Sequence, residues 1–276
     1  MIKLFVLILS GALLAGCGSP PQRLPQALER AQTADKDARR ALRTGDLADA
    51  RLLFAESLAL HRSVDDVDGA ASALISLATV SHWLHDDAAA IKLLDQISLD
   101  QASPYSPPWR ITAAFRKAVI LADLGRNDEA ASVLAVADRV CEGNCPLRFG
   151  IEVLKARLAL LNGDALAALE LAKPVASARE VGDEERANAL RLVAAAEEKL
   201  TQHQAALRHY RAALELDKLL GLSSRIEQDL NGIVRVLTDL GRVEEAALHA
   251  RRAFLVHEAA RKKASSAPRL IEENNE

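Results

Sequence analysis

Aromatic residues are almost missing from this chain: five Phe, two Trp and two Tyr make up 3% of its 276 residues. Half the chain is nonetheless apolar, and much of that share is alanine. Alanine favours helix and lets helices approach closely, while the β-branched and aromatic residues that build strands are few, so a β-rich core is excluded. Blocks of one charge sign are absent as well. The formal charge is −3 with acidic and basic residues intermixed, which leaves no electrostatic footprint for nucleic acid. Only three cysteines occur. No serine sits in a nucleophile elbow, and no glycine-rich phosphate loop follows a strand. Enzymatic chemistry therefore finds no foothold in the motifs.

Long hydrophobic runs are absent too, with one exception at the N-terminus. Lys3 precedes the eleven-residue run Leu4 to Leu14, which is too short to span a bilayer and leads through Leu14-Ala15-Gly16 directly into Cys17. This stretch resembles the lipobox of bacterial lipoproteins, in which the peptide is cut before the cysteine and the cysteine carries the lipid. The resemblance implies a signal peptide over 1–16, lipidation at Cys17 with palmitate among the acyl groups, and an extended proline-containing tether over 17–25. The alternatives are an ordinary secretory signal or an N-terminal anchor with Cys17 as a bystander. Gly18 follows the cysteine, where inner-membrane retention commonly uses aspartate. The same resemblance therefore implies the periplasmic face of the outer membrane. Export would also favour a disulfide between Cys141 and Cys145, across Gly143 and Asn144, over a redox or metal role.

Removal of the leader leaves about 260 residues, room for one extended domain or two compact ones. An internal repeat decides for the extended form. Turns beginning at Gly45, His85, Gly125, Gly163, Thr201 and Gly241 are each followed five residues later by an alanine: Ala50, Ala90, Ala130, Ala168, Ala206 and Ala246. Successive spacings are 38 or 40 residues, a regularity that composition alone does not produce. Seven positions before each turn comes Ala38, Ala78, Ala118, Ala156, Ala194 or Val234. Four positions after each marker alanine comes an inward residue: Phe54, Leu94, Leu134, Ala172, Tyr210 or Ala250. Each unit reads as two antiparallel helices about a tight turn, too small to bury its own apolar face and therefore stacked on its neighbours.

Leu124-Gly125-Arg126-Asn127-Asp128-Glu129-Ala130, Leu240-Gly241-Arg242-Val243-Glu244-Glu245-Ala246 and Tyr210-Arg211-Ala212-Ala213-Leu214-Glu215-Leu216 resemble tetratricopeptide repeats. The resemblance covers about residues 26–264 and implies an all-α, right-handed superhelical solenoid of about six hairpins, followed by a polar tail over 265–276. The period exceeds the usual 34, and the proline that commonly closes each unit is missing. Ser103 to Pro108 is expected as a loop between the second and third units, and Cys141 to Pro146 between the third and fourth. Pro174 should shorten or kink the second helix of the fourth unit.

In tetratricopeptide families, ligand-facing positions lie fifteen and eleven residues before the marker alanine. Carried over, those offsets give an apolar floor of Ile75, Phe115, Val119 and Val153, flanked by Arg39, Arg157, Arg191 and Arg235, besides Asp35, Thr79, Ala195 and Asn231. Such a groove would suit a peptide bearing acidic groups, since guanidinium grips carboxylate in a bidentate manner. Alternatively, the arginines merely pair with carboxylates on adjacent helices. His257-Glu258-Ala259-Ala260-Arg261 lacks the second histidine of a zinc-protease helix, and His82, His85, Asp86 and Asp87 sit where a helix end and turn expect polar residues. Neither is read as a metal site, and no cofactor is implied. The leading expectation is a non-enzymatic lipoprotein scaffold that holds another envelope protein or peptide. A small-ligand or glycan module, which would need Trp83, Tyr105 and Trp109 on one wall, and self-assembly of end units are the other readings.

Overall fold

A computed structural model describes residues 25–97, 103–142 and 145–265, with side chains to 261. Among the described residues there are twelve helices and no strand. They run α1 (Gln26–Thr44), α2 (Leu47–Ser63), α3 (Val67–Trp83), α4 (Asp87–Asp95), α5 (Pro107–Asp123) and α6 (Asn127–Cys141). They continue with α7 (Arg148–Leu161), α8 (Ala165–Ser177), α9 (Asp183–Lys199), α10 (His203–Leu220), α11 (Ser223–Asp239) and α12 (Val243–Ser265). Consecutive pairs form six hairpins, and the main contacts fall within a hairpin or between adjacent hairpins. The all-α solenoid follows directly. Cys17, the leader and most of the tether lie outside the described residues, as does the polar tail beyond Ser265.

The six turns share one backbone solution. Gly45, His85, Gly125, Gly163, Thr201 and Gly241 all adopt positive φ, between 59° and 86°. The next N–H in each case bonds back to a carbonyl five residues earlier, from Asp46 to Ala41 at 2.9 Å through Arg242 to Leu237 at 2.9 Å. This pattern absorbs helix-end carbonyls that would otherwise lack partners. Asp46, Asp86 and Asp164 then cap the second helix, accepting from the N–H three residues on. In the third and sixth units Arg126 and Arg242 instead grip Glu129 and Glu245 through two hydrogen bonds each.

Packing follows the small-residue register. All six marker alanines are buried, as are Ala38, Ala78, Ala118, Ala156 and Ala194, while Val234 is partly buried. Phe54, Leu94, Leu134, Ala172 and Tyr210 fill the space toward the following unit. Burial of a side chain the size of Phe54 contributes about 2–3 kcal/mol. Ala250 departs from the series: it is exposed, because no described helix follows α12 to cover it.

Curvature can be read from which helices touch. First helices meet across units (α3 with α5, α5 with α7, α7 with α9, α9 with α11), whereas second helices show no comparable contact with one another. The first-helix layer is therefore the inner face. The junctions α4–α5 and α6–α7 are the thinnest along the array, at the two connections marked by the prolines and the cysteines. Pro107 and Pro108 do not remain in the loop as the sequence suggests: they open α5, where a missing N–H costs nothing. Pro174 lies inside α8, whose helix ends three residues later at Ser177. Cys141 closes α6 and is joined to Cys145 by a disulfide with Cα atoms 5.2 Å apart.

Candidate binding groove

The offsets place all eight candidate residues on first helices, but not all of them are available to a ligand. Ile75 is buried in the core of the first two units. Phe115 is partly buried and rests on α7, where a Cβ at Gly150 would come within 3.2 Å of its Cζ. Val119 packs partly against the core between α5 and α7, and Val153 against Val175, Val181 and Ala189. The apolar floor is therefore narrower than the spacing suggests: Val119, Val153 and one edge of Phe115.

The four arginines all face carboxylates of their own array. Arg39 reaches Asp35, one turn earlier, at 3.6 Å. Arg157 on α7 donates to Asp123 on α5 at 2.6 Å, and Arg235 on α11 donates to Glu198 on α9 at 2.8 Å and to the Tyr210 hydroxyl at 3.1 Å. Arg191 is the most enclosed. Its Nε donates to Asp229 at 2.7 Å, its Nη1 to Asn188 at 2.8 Å, and its Nη2 to Asp217. Asp217 and Asp229 are almost wholly buried and Arg191 nearly so. Arg191 is thus an internal counter-ion joining α9, α10 and α11, and the picture of it as a free grip on a ligand is corrected.

Burial shifts the protonation equilibria here. It pushes the Asp229 carboxyl up to about 7, the bonds from Arg191 oppose the shift, and the hydrogen bond with Asp217 reinforces it. For Glu198, burial alone would raise the pKa, but hydrogen bonds from Arg235 and Tyr210 outweigh it and the group stays below its ordinary value. The Tyr210 hydroxyl is pushed up by burial and by the adjacent Glu198 charge, so it remains a donor.

Sequence reasoning missed Asp123 and Glu198 and read His82 and Asp87 only as polar residues of a helix end and turn. His82 Nδ1 lies 2.5 Å from Asp87 and its Nε2 lies 3.3 Å from Asp123, which in turn binds Arg157. The chain Asp87–His82–Asp123–Arg157 thus links the second, third and fourth units across the inner face. Asp123, His82 and Glu198 stand seven or eight residues before their marker alanines, one turn beyond the family offsets, and that second register would have found them.

Both ring nitrogens of His82 thus face carboxylates, and His85 occupies the left-handed turn position. Among the described residues no group of three His, Cys, Asp or Glu side chains is arranged to hold a metal. The aromatic wall required by the glycan reading does not form. Trp109 Nε1 bonds Asp68 at the start of α3, at 2.8 Å, while Trp83 ends that helix fifteen residues on, about 22 Å away. A recess of about 410 Å³ between α1 and α2 is lined by the charges Glu29, Arg30, Asp37 and Glu56, away from the candidate floor. No described helix is long and apolar enough to cross a membrane.

A scan against protein-family models finds no match, and comparison with curated proteins finds none. Solved structures do match in shape. The nearly identical TPR-like repeats of a kinesin-light-chain-type protein from Podosopora anserina share 20% identity, with a TM-score of 0.53. That match covers 70% of this chain and 97% of the other. A signal-transduction ATPase with a tetratricopeptide repeat sensor, from Pyrococcus horikoshii, matches at 18% identity and a TM-score of 0.59. It covers 85% of this chain but 37% of that one. The fold is that of tetratricopeptide repeat proteins.

Proposed function

We propose that the chain is a lipid-anchored scaffold of the cell envelope that holds another envelope protein on its inner face at the third and fourth units. One observation carries this reading. His82, Asp123 and Arg157 tie three successive first helices together beside the partly exposed Phe115, Val119 and Val153. A surface braced in that way is preorganised, so little ordering entropy opposes docking. The ligand is an extended or helical segment whose apolar side chains meet Val119 and Val153. The lipobox-like run ending at Cys17 supports attachment to the outer membrane by lipid, with the array facing the periplasm, a compartment in which the Cys141–Cys145 bridge persists.

Two measurements test the two halves. A photoreactive residue at Val119 in intact cells should crosslink to one reproducible protein, and adding Val153→Asp to that chain should abolish the adduct while leaving helicity unchanged. Crosslinks to lipid or glycan alone would defeat the scaffold. Labelled palmitate should enter the full chain and be lost in Cys17→Ser; equal labelling of both would defeat the anchor.

A further inference from the structure

The two ends of the array are unlike. On α1, which no described helix precedes, the exposed positions Glu29, Arg30, Gln32, Thr33, Lys36, Arg39 and Arg40 are polar. On α12, which no described helix follows, Val243 is 61% exposed and Phe254 62%, whereas Leu248 and Leu255 lie on a separate surface that is exposed in inner units as well, as at Leu52. Arrays of this kind need polar outer faces at their ends to stay apart in water. The first described helix presents one and the last described helix does not.

The register explains which face is bare. Four and eight residues past the marker alanine, second helices bury Phe54 and Leu58 in the first unit, and Tyr210 and Leu214 in the fifth. The same positions on α12 are Ala250 and Phe254, both exposed. They continue a helical stripe of Val243, Ala247, Ala250, Phe254, His257 and Arg261, spaced alternately by four and three residues and exposed throughout. Its contour and charge are both lopsided. A large Phe254 stands one turn from a small Ala250, with Glu244 and Glu245 at one end of the helix and Arg261 toward the other.

We propose that this stripe is a dimer interface in which α12 packs antiparallel against α12 of a second copy of the chain. An antiparallel two-fold centred between Ala250 and Phe254 seats each Phe254 on the other copy's Ala250. It also brings each acidic helix start to the basic helix end of its mate and opposes the helix dipoles favourably. Head-to-tail stacking fails the same criteria, since it would press Phe254 against the charged face of α1. The inference is independent of the membrane anchor and leaves the inner face of the third and fourth units open.

The register supplies a specific test. Ala247 of one copy lies opposite His257 of the other. Two differently tagged full-length chains, one Ala247→Cys and one His257→Cys, are produced together and oxidised. A mixed disulfide dimer at least tenfold more abundant than either like pair is expected. No dimer, equal like pairs, or an adduct to a different protein overturns the proposal. Sedimentation of the full chain in detergent gives the second readout. Phe254→Asp should weaken self-association at least a hundredfold with the far-ultraviolet dichroism unchanged. Glu244→Arg should weaken it about tenfold, and addition of Arg261→Glu should restore it. A wild-type chain that is monomeric, or whose association ignores all three changes, sinks the interface.

Discussion

The ring of Tyr210 occupies the space that a side chain at position 232 would need: a Cβ on Gly232 would lie 2.5 Å from its Cε1. The contact locks α10 onto α11, and Tyr210 is held from its far end by Glu198 at 2.8 Å and by Arg235 at 3.1 Å. One missing methyl thus admits the largest fully buried side chain of the array.

Gly232→Ala should therefore destabilise the protein despite alanine's better helix propensity. Overpacking against a ring pinned at both ends costs about 2 kcal/mol net of the propensity gain. Urea denaturation measures it, and a midpoint equal to or above wild type would show that the ring can yield.

Asp229 gives the stability a pH dependence of definite sign. Its folded pKa is about 7 against an ordinary 3.8, so the folded state binds the extra proton between those values. The contribution is complete below the lower value and is lost as pH rises through the upper one. Between pH 5 and pH 7 the loss is on the order of 2 kcal/mol. Asp229→Asn keeps the neutral form and should flatten that slope, so the variant gains on wild type as pH rises. A wild-type-to-variant difference that stays constant from pH 5 to pH 8 would contradict this.

Arg191 and Arg39, which stand fifteen and eleven residues before their marker alanines, should behave oppositely. Arg191→Ala leaves two buried carboxylates without a counter-ion and costs about 3–5 kcal/mol. Arg39 is largely exposed and reaches Asp35 only at 3.6 Å, so Arg39→Ala should cost less than about 1 kcal/mol. Chemical denaturation of the two variants side by side decides it, and similar losses would be inconsistent with the described burial.

Thr201 is a β-branched residue held at φ 59°, where the homologous turns of four units carry glycine. Thr201→Gly should relieve about 1 kcal/mol of backbone strain, partly offset by the freer unfolded chain and the lost hydroxyl contact to Leu200. Thermal unfolding should move up by a few degrees. A lower midpoint would mean the hydroxyl contributes more than the strain removes.

The repeat was legible because its signals are local. A glycine at positive φ, an alanine five residues later and an apolar residue a turn beyond recur at nearly constant spacing, and each reports a constraint of its own hairpin. His85 and Thr201 fill the same turn position without glycine, so spacing and not residue type revealed them. The groove was less legible. Ile75, Phe115 and Arg191 stand fifteen residues before their marker alanines, as Val153 does, yet depth and partners separate them. The carboxylates Asp123, Asp217, Asp229 and Glu198 that engage the arginines belong to other helices, up to 38 residues away in the chain.

Sequence alone therefore determined the hairpins, their number and their turns, since helix propensity, small-residue register and left-handed turn positions act within about 40 residues. Tertiary structure alone decided which arginines are spent on internal carboxylates, which face lies inside the curve, and which end is left bare. Those outcomes depend on how successive units rotate against each other. That rotation is set by packing between helices distant in the chain, and no local pattern encodes it.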